Sequence, residues 1–152
     1  GLGIAHDVGR KWTVLASVVW TGWSCCEELR VKFANPVEPD AVSPLEWKDT
    51  WRVALGAIYR PSPCWRLRIG TQWDQSPIPD DTRTPRIPLN DRIWASAGVG
   101  YDISRSIALE LGYTHVFVAQ GDINLASAAA GFLNGYVDGA TDILTLQLNW
   151  NF

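Results

Sequence analysis

The stretch from Trp51 to Tyr59 reads Trp-Arg-Val-Ala-Leu-Gly-Ala-Ile-Tyr, and it decides the fold. Its odd positions are apolar or aromatic, whereas its even positions mix arginine with small residues and one isoleucine. Successive side chains on a β-strand point to opposite faces, so this period of two predicts a strand with one apolar and one mixed face. The next run repeats the pattern, with Trp65, Leu67, Ile69, Thr71, Trp73 alternating with Arg66, Arg68, Gly70, Gln72, Asp74.

The same alternation returns farther along the chain. It runs through Ile93 to Tyr101, through Ile107 to Tyr113 and through Leu144 to Phe152. A series of segments of about ten residues with alternating hydrophobicity is typical of transmembrane β-strands. We therefore predict an all-β protein, an antiparallel transmembrane β-barrel segment of about six to seven strands.

The spacing of the aromatic residues supports a membrane-crossing sheet. Trp12 and Trp20, Trp51 and Tyr59, and Trp65 and Trp73 are each eight residues apart, so each pair shares a face. At a rise of ~3.3 Å and a tilt of roughly 40°, such a segment climbs about 20 Å, close to the ~25 Å apolar band between aromatic girdles. The predicted girdle residues are Trp12, Trp20, Trp51, Tyr59, Trp65, Trp73, Tyr101, Tyr113 and Trp150.

The predicted connections alternate in length. We expect strands at about 12–34, 50–60, 65–74, 92–103, 106–118 and 141–152, with residues 1–7 as part of a preceding strand. The joins are then short at 8–11, 61–64 and 104–105, and long at 35–49, 75–91 and 119–141. Bacterial barrels alternate short periplasmic turns with long extracellular loops in this way. Within the last long loop, the Ala/Ser/Gly-rich residues 124–135 are predicted to form a short helix or to line an entry groove.

Composition excludes several classes of protein. The 152 residues carry a net charge of −3 with scattered basic residues, which argues against nucleic-acid binding. No window reaches the ~18 continuous apolar residues of a transmembrane helix, so a membrane protein of this sequence has to be a closed barrel. The chain opens with Gly1-Leu2-Gly3, without methionine or signal peptide. From this we expect a piece of a longer barrel protein.

The sequence offers no clear catalytic or metal chemistry. Cys25, Cys26 and Cys64 lack the spacing of a zinc set, and we favour small strand or loop residues over an adjacent-cysteine redox pair. His115 shares the apolar phase with Tyr113 and is interpreted as a girdle residue, not a base. No catalytic residue, metal or cofactor is expected: Ser76 and Ser96 have no His and Asp at plausible spacing, and Asp80-Asp81 is interpreted as a solvated loop pair.

The last segment resembles a barrel-insertion signal. Apolar residues stand at every second position and the chain ends in an aromatic residue, as recognised by barrel-assembly machinery. The residues concerned are Leu144, Leu146, Leu148, Trp150 and Phe152. The alternative is an ordinary amphipathic edge strand that ends in Phe.

Several motifs in this order resemble the C-terminal third of the FadL/TodX family of long-chain fatty acid and aromatic hydrocarbon transporters. They are Trp20-Thr21-Gly22-Trp23-Ser24, Glu28-Leu29-Arg30, Trp47-Lys48-Asp49-Thr50-Trp51-Arg52-Val53-Ala54-Leu55-Gly56, Trp65-Arg66-Leu67-Arg68-Ile69-Gly70, Asp74-Gln75-Ser76-Pro77-Ile78-Pro79 and Asn90-Asp91-Arg92-Ile93-Trp94-Ala95-Ser96-Ala97-Gly98. The resemblance implies a fourteen-stranded barrel with an N-terminal hatch, of which residues 1–152 are the C-terminal portion without the hatch and first strands. It also implies ligand capture outside and lateral release through the wall. The family's carboxylate-binding positions just before Trp47 have no clear basic match here.

The polar phase of the strands carries the candidate ligand-binding residues Arg52, Arg66, Arg68 and Glu110. A partly dehydrated arginine binds a carboxylate well because its planar fork donates two parallel hydrogen bonds. One hypothesis is that Arg52, Arg66 or Arg68 steers the head group of an amphipathic ligand. The alternative, which we favour, is a structural network of these arginines with Glu110, Asp74 and Asp102.

The sequence thus predicts an outer-membrane channel of a Gram-negative cell for passive uptake of long-chain fatty acids or other hydrophobic molecules. Its expected partners are a fatty acid or aromatic hydrocarbon ligand, outer-membrane lipid and the barrel-assembly machinery, with a monomeric full-length protein. Alternatives are an outer-membrane barrel enzyme of lipase type, a surface adhesin, or a soluble β-sandwich whose tryptophans bind carbohydrate.

Overall fold

The fold is an antiparallel sheet, which confirms the predicted all-β class. A computed structural model describes residues 1–35, 40–80, 82–85, 87–127 and 131–151. Within these ranges nine strands follow one another: β1 (Leu2–Val8), β2 (Trp12–Thr21), β3 (Glu28–Val31), β4 (Ala41–Pro44), β5 (Thr50–Tyr59), β6 (Trp65–Asp74), β7 (Arg92–Asp102), β8 (Ile107–Ser127) and β9 (Gly131–Trp150). No helix in these ranges is long and apolar enough to cross a membrane.

Seven of the strands form one sheet in the order β1-β2-β5-β6-β7-β8-β9, with every neighbouring pair antiparallel. Strands β1 and β9 are the outer strands of this sheet, so the sheet is open in the part of the chain that is described. Strands β3 and β4 pair separately in a small two-stranded sheet. The short joins at 9–11, 60–64 and 103–106 lie at one end of the large sheet, here called the hairpin end, and the opposite end is the loop end.

The predicted overlong strand at 12–34 is wrong, because β2 ends at Thr21. The indole of Trp20 lies over Gly22, where an added Cβ atom would approach it to 3.1 Å. The chain then turns, with the Cys26 amide donating to the Trp23 carbonyl at 2.9 Å. Residues 28–31 join the predicted loop 35–49 in the small sheet instead.

The predicted long loop at 119–141 and the short helix in residues 124–135 are also wrong, whereas the alternative that these residues line an entry groove stays a prediction. Strands β8 and β9 continue as a paired hairpin through Ser127 and Gly131. A register shift between Val118 and Gly121 inserts one extra residue and restores the pairing beyond it. The backbone ladder between β8 and β9 satisfies the hydrogen bonds of the paired residues. Residues 128–130, at the tip, lie outside the described ranges.

Candidate functional site

One face of the large sheet is apolar and exposed. Strand pairing places Leu55 opposite Ala16 and Thr71, and Ile69 opposite Ala57 and Ala97, on this face. The side chains of Ile69 and Leu146 are 64% and 71% exposed. A contiguous apolar patch of this extent marks a surface that is covered by another apolar phase. We call this face the outward face.

Aromatic side chains border the outward face at both ends. Near the hairpin end Trp12 stacks on Tyr59 with ring centroids 4.5 Å apart, and Trp65 lies 4.7 Å from Tyr101. At the loop end Trp20 pairs in register with Trp51. Of the other predicted girdle residues, Trp73 is the last but one residue of β6 at the loop end, Trp150 ends β9 at the hairpin end, and Tyr113 lies within β8.

Tyr113 belongs to a polar group on the outward face that the sequence reasoning missed. Its hydroxyl donates to Asp142 Oδ1 at 2.6 Å, and His115 Nδ1 lies 2.6 Å from the same oxygen. The His115 ring also contacts Phe117 edge-on, with centroids 4.2 Å apart. Asp142 stands two residues before Leu144, in the same outward phase of the strand. A charged residue in an otherwise apolar phase is the feature of the sequence that could have indicated this polar group.

The opposite face, here called the inward face, carries two ionic clusters. The lower cluster consists of Arg66, Arg68, Asp102 and Glu110. Arg66 donates to Asp102 at 2.5 Å and to Glu110 at 3.4 Å, while Arg68 donates twice to Glu110 at 2.5 and 3.0 Å. Gly100 lies between Arg66 and Glu110 in the register, and a Cβ atom there would meet the Arg66 guanidinium at 3.3 Å. The missing side chain is what lets the two charges meet.

The upper cluster consists of Arg52, Asp74 and Arg92, which stand side by side on β5, β6 and β7 at the loop end. Arg92 Nη2 donates to Asp74 Oδ2 at 2.7 Å, whereas Arg52 Nε approaches Asp74 Oδ1 only to 3.4 Å. The Arg92 guanidinium lies 6.0 Å from the ring centroid of Trp94. The alternation placed Arg52 and Asp74 on this face, and Arg92 and Trp94 share the same phase of β7.

Between the clusters the inward face is lined by small residues. Gly70 pairs with Ser96, and Gly98 with Gly112. They border a concave region of about 310 Å³ that also touches Arg68 and Glu110. Small side chains leave this space open beside the lower cluster.

The loops interlock above the upper cluster. The Lys48 amide donates to the Pro77 carbonyl at 2.8 Å, and Asn90 Nδ2 donates to the Gln120 carbonyl at 2.6 Å. Arg83 is 1% exposed and donates to the carbonyls of Leu89 and Asp122 at 3.3 and 2.9 Å. The sequence did not predict this burial, because Arg83 stands alone in a proline-rich loop without a periodic pattern.

The turn after β2 is held against the start of β5. The Ser24 amide donates to Asp49 Oδ1 at 2.9 Å. This hydrogen bond lowers the pKa of the Asp49 carboxyl below its ordinary value, because the amide stabilises the charged form. The nearby thiols of Cys25 and Cys26, like that of Cys64, are free.

A sheet that is apolar and bordered by aromatics on one face, charged on the other, and closed by short turns at one end is the wall of an outer-membrane β-barrel. The chain belongs to the outer membrane protein transport family OMPP1/FadL/TodX, whose family model matches residues 1–152. It is therefore a protein of the Gram-negative outer membrane, and its predicted location is confirmed.

Individual relatives agree with this assignment. A long-chain fatty acid transport protein of Escherichia coli is 32% identical over 73% of this chain and 25% of its own length. A 47 kDa outer membrane protein of Pasteurella multocida is 30% identical over 73% of this chain and 26% of its own length. The crystal structure of a Pseudomonas aeruginosa FadL homologue superposes with a TM-score of 0.86 at 27% identity, over 97% of this chain and 34% of that one. The chain thus spans about a quarter of the length of these curated relatives.

Proposed function

We propose that this chain forms part of the wall of a channel for passive uptake of long-chain fatty acids or related hydrophobic molecules. The relatives named as fatty acid transport proteins support the substrate class. The observation that carries the proposal is the contrast between the two faces of one sheet. Its outward face is suited to lipid, while its inward face offers charged clusters and an open groove of small residues.

The head group of such a ligand would meet arginines on the inward face. Of the candidate residues, Arg66 forms ion pairs with Asp102 and Glu110, and Arg68 forms one with Glu110. These pairs agree with the alternative hypothesis of a structural network. Arg52 makes a single 3.4 Å contact and its side chain is 48% exposed. Head-group steering is therefore assigned to Arg52 in this proposal, and Glu110 keeps Arg66 and Arg68 in place.

The remaining parts of the proposal concern assembly. We propose that residues 1–152 are the C-terminal portion of a single fourteen-stranded barrel domain that works as a monomer. The outward side chains of Leu144, Leu148 and Trp150 on the outer strand β9 are accessible to barrel-assembly machinery, which supports their role as an insertion signal. Phe152, the last residue of that signal, lies outside the described residues.

The test is an uptake assay with the full-length protein, expressed in Gram-negative cells that lack their own outer-membrane fatty acid transporter. A fluorescent fatty-acid-binding reporter exported to the periplasm records arrival of oleate. We expect a signal well above the empty strain, and the same signal after a protonophore collapses the proton gradient. A signal equal to that of the empty strain contradicts the transport function, and loss with the protonophore contradicts passive uptake.

A further inference from the structure

The paired hairpin of β8 and β9 continues beyond the aromatic border at the loop end. On β6 the girdle residues Trp65 and Trp73 are eight residues apart, and the same interval on β9 leads from Trp150 to Asp142. Asp142 therefore lies level with this border, and the part of β9 that precedes it rises roughly 25 Å above the apolar layer. We call residues 121–127 of β8 and 131–140 of β9 the hairpin extension.

Both strands of the hairpin extension present polar side chains on the outward side. The alternation of β9 is uninterrupted, so Asn134 and Tyr136 lie in the same phase as Leu144 on the outward face. The extra residue in β8 reverses the alternation of that strand. Asp122 and Asn124, which pair with Tyr136 and Asn134, are therefore turned outward as well.

The inner side of the hairpin extension is covered by the chain itself. Ile123 is 4% exposed, and an added Cβ atom at Gly121 would approach Nε of Arg83 to 3.1 Å. The loop between β6 and β7 therefore fills this side. Within the described ranges the outer side has no such cover, since Tyr136 is 67% and Phe132 88% exposed.

The outer side of the hairpin extension has the side chains that bind sugars. The rings of Phe132 and Tyr136 stand at alternate positions of β9, with the amide of Asn134 between them. Aromatic rings stack on the C–H faces of sugar rings, while amides and phenols exchange hydrogen bonds with sugar hydroxyls. In the part of the chain that the structure describes, the side chains of Asn134 and Tyr136 form no hydrogen bond, so both are available to a ligand.

The charge of this surface favours an uncharged sugar over a phosphate group. The outer side carries the carboxylates of Asp122 and Asp138, with Asp142 at its lower edge, and residues 107–152 contain no lysine or arginine. Carboxylates repel phosphate, but they accept hydrogen bonds from hydroxyl groups. Asp142 already accepts a hydrogen bond from the Tyr113 hydroxyl at 2.6 Å, and its side chain is still 65% exposed.

We propose that the outer side of the hairpin extension is a docking surface for the core oligosaccharide of lipopolysaccharide in the outer leaflet. The surface continues the outward face beyond Leu144, so a molecule whose acyl chains cover that face places its sugars on the extension. Lipopolysaccharide has this arrangement, with acyl chains in the apolar layer and sugars above it. Phe132 and Tyr136 stack on the sugar rings, and Asn134 and Asp138 bind their hydroxyls. The docking surface does not depend on which ligand passes through the lumen.

The test compares three lipids that share acyl chains and differ above them. Binding of lipopolysaccharide with a complete core, of lipid A without core sugars, and of phosphatidylglycerol to the full-length protein in detergent micelles is measured by native mass spectrometry. Complete lipopolysaccharide should bind most tightly, and Tyr136→Ala or Asn134→Ala should weaken its binding about tenfold while the other two lipids are unaffected. Leu146→Ala, on the outward face below, should affect all three equally. Phe33→Ala, an exposed aromatic outside the extension, should affect none.

Every other outcome overturns the docking surface. Equal affinity for complete lipopolysaccharide and either of the other lipids, or an equal loss for all three in Tyr136→Ala, would show that the acyl chains account for the binding. Equally tight binding of the free core oligosaccharide would show a general glycan surface that does not need the membrane lipid. If Tyr136→Ala lowers the yield of folded barrel, Asn134→Ala decides, and an unchanged preference of that variant for complete lipopolysaccharide refutes the proposal.

Discussion

Replacing Arg83 with methionine should release the loop between β6 and β7 from the β8–β9 hairpin. The guanidinium is 1% exposed and donates to two carbonyl oxygens, Leu89 at 3.3 Å and Asp122 at 2.9 Å. Its 2.7 Å ion pair with Asp80 adds little, because the Asp80 side chain is 83% exposed. Hydrogen bonds that involve a charged group contribute about 1.5–3 kcal/mol each, so the loop should lose about 3 kcal/mol of local stability.

The measurement is amide hydrogen exchange on the full-length protein in detergent micelles. A loss of this size raises the exchange of residues 76–90 by about a hundredfold, since each 1.4 kcal/mol is about tenfold. Strands β5 and β6 should keep their protection. Arg105→Met, in the exposed hairpin after β7, is the control and should leave the loop unchanged. If the exchange rate in the loop rises less than about threefold, or rises equally in β5 and β6, Arg83 does not hold the loop against the hairpin.

Three further predictions concern the two faces and the loops. Ile69→Arg lies midway between the aromatic girdles on the outward face and should lower the free energy of unfolding, measured with urea from vesicles, by about 2–4 kcal/mol. Gln72→Arg on the inward face should lower it by less than about 1 kcal/mol. Equal losses for the two variants would contradict the assignment of the faces. Glu110→Gln should cost about 2 kcal/mol in the same assay, because it leaves the Arg68 guanidinium without its counter-charge and Arg66 with Asp102 alone, and an unchanged midpoint counts against the lower cluster as a stabilising network. The folded-state pKa of Asp49 is lowered by its hydrogen bond from the Ser24 amide. The stability that this hydrogen bond gives the turn is therefore fully present above the ordinary carboxyl pKa and is lost as the pH falls through the lowered value. Hydrogen exchange of residues 22–27 should therefore accelerate in acid relative to Asp49→Asn, and parallel pH profiles for the two proteins would exclude this role.

The alternation of side chains was sufficient to predict the large sheet. Strand β6 has the bounds predicted from the sequence, because its apolar and polar phases are uninterrupted and its ends are marked by Trp65 and Asp74. The register of the pairs follows, since a slip of one residue would expose arginines to lipid. Arg52, Arg66 and Arg68 were placed on the inward face by the same reasoning.

The features that were mispredicted depend on local irregularities of the backbone and on contacts between loops. After β2 the chain turns at residues 23–26, and the continuation of β8 depends on a bulge that changes its phase between Val118 and Gly121. A bulge reverses the alternation, so the sequence beyond it resembles a loop. The burial of Arg83 requires the loop between β6 and β7 to meet the β8–β9 hairpin, and no local sequence pattern predicts that contact.

Alternate side chains of the sheet contact lipid while their neighbours face a wet interior. Spin labels attached to single cysteines at positions 66–72, in full-length protein in bilayers with Cys25, Cys26 and Cys64 replaced by serine, test this alternation. Collision with oxygen, which partitions into lipid, should be strongest at 67, 69 and 71. Collision with a water-soluble nickel chelate should be strongest at 66, 68, 70 and 72. Accessibility to the two reagents that does not alternate along these positions, or that alternates in the opposite phase, would contradict it.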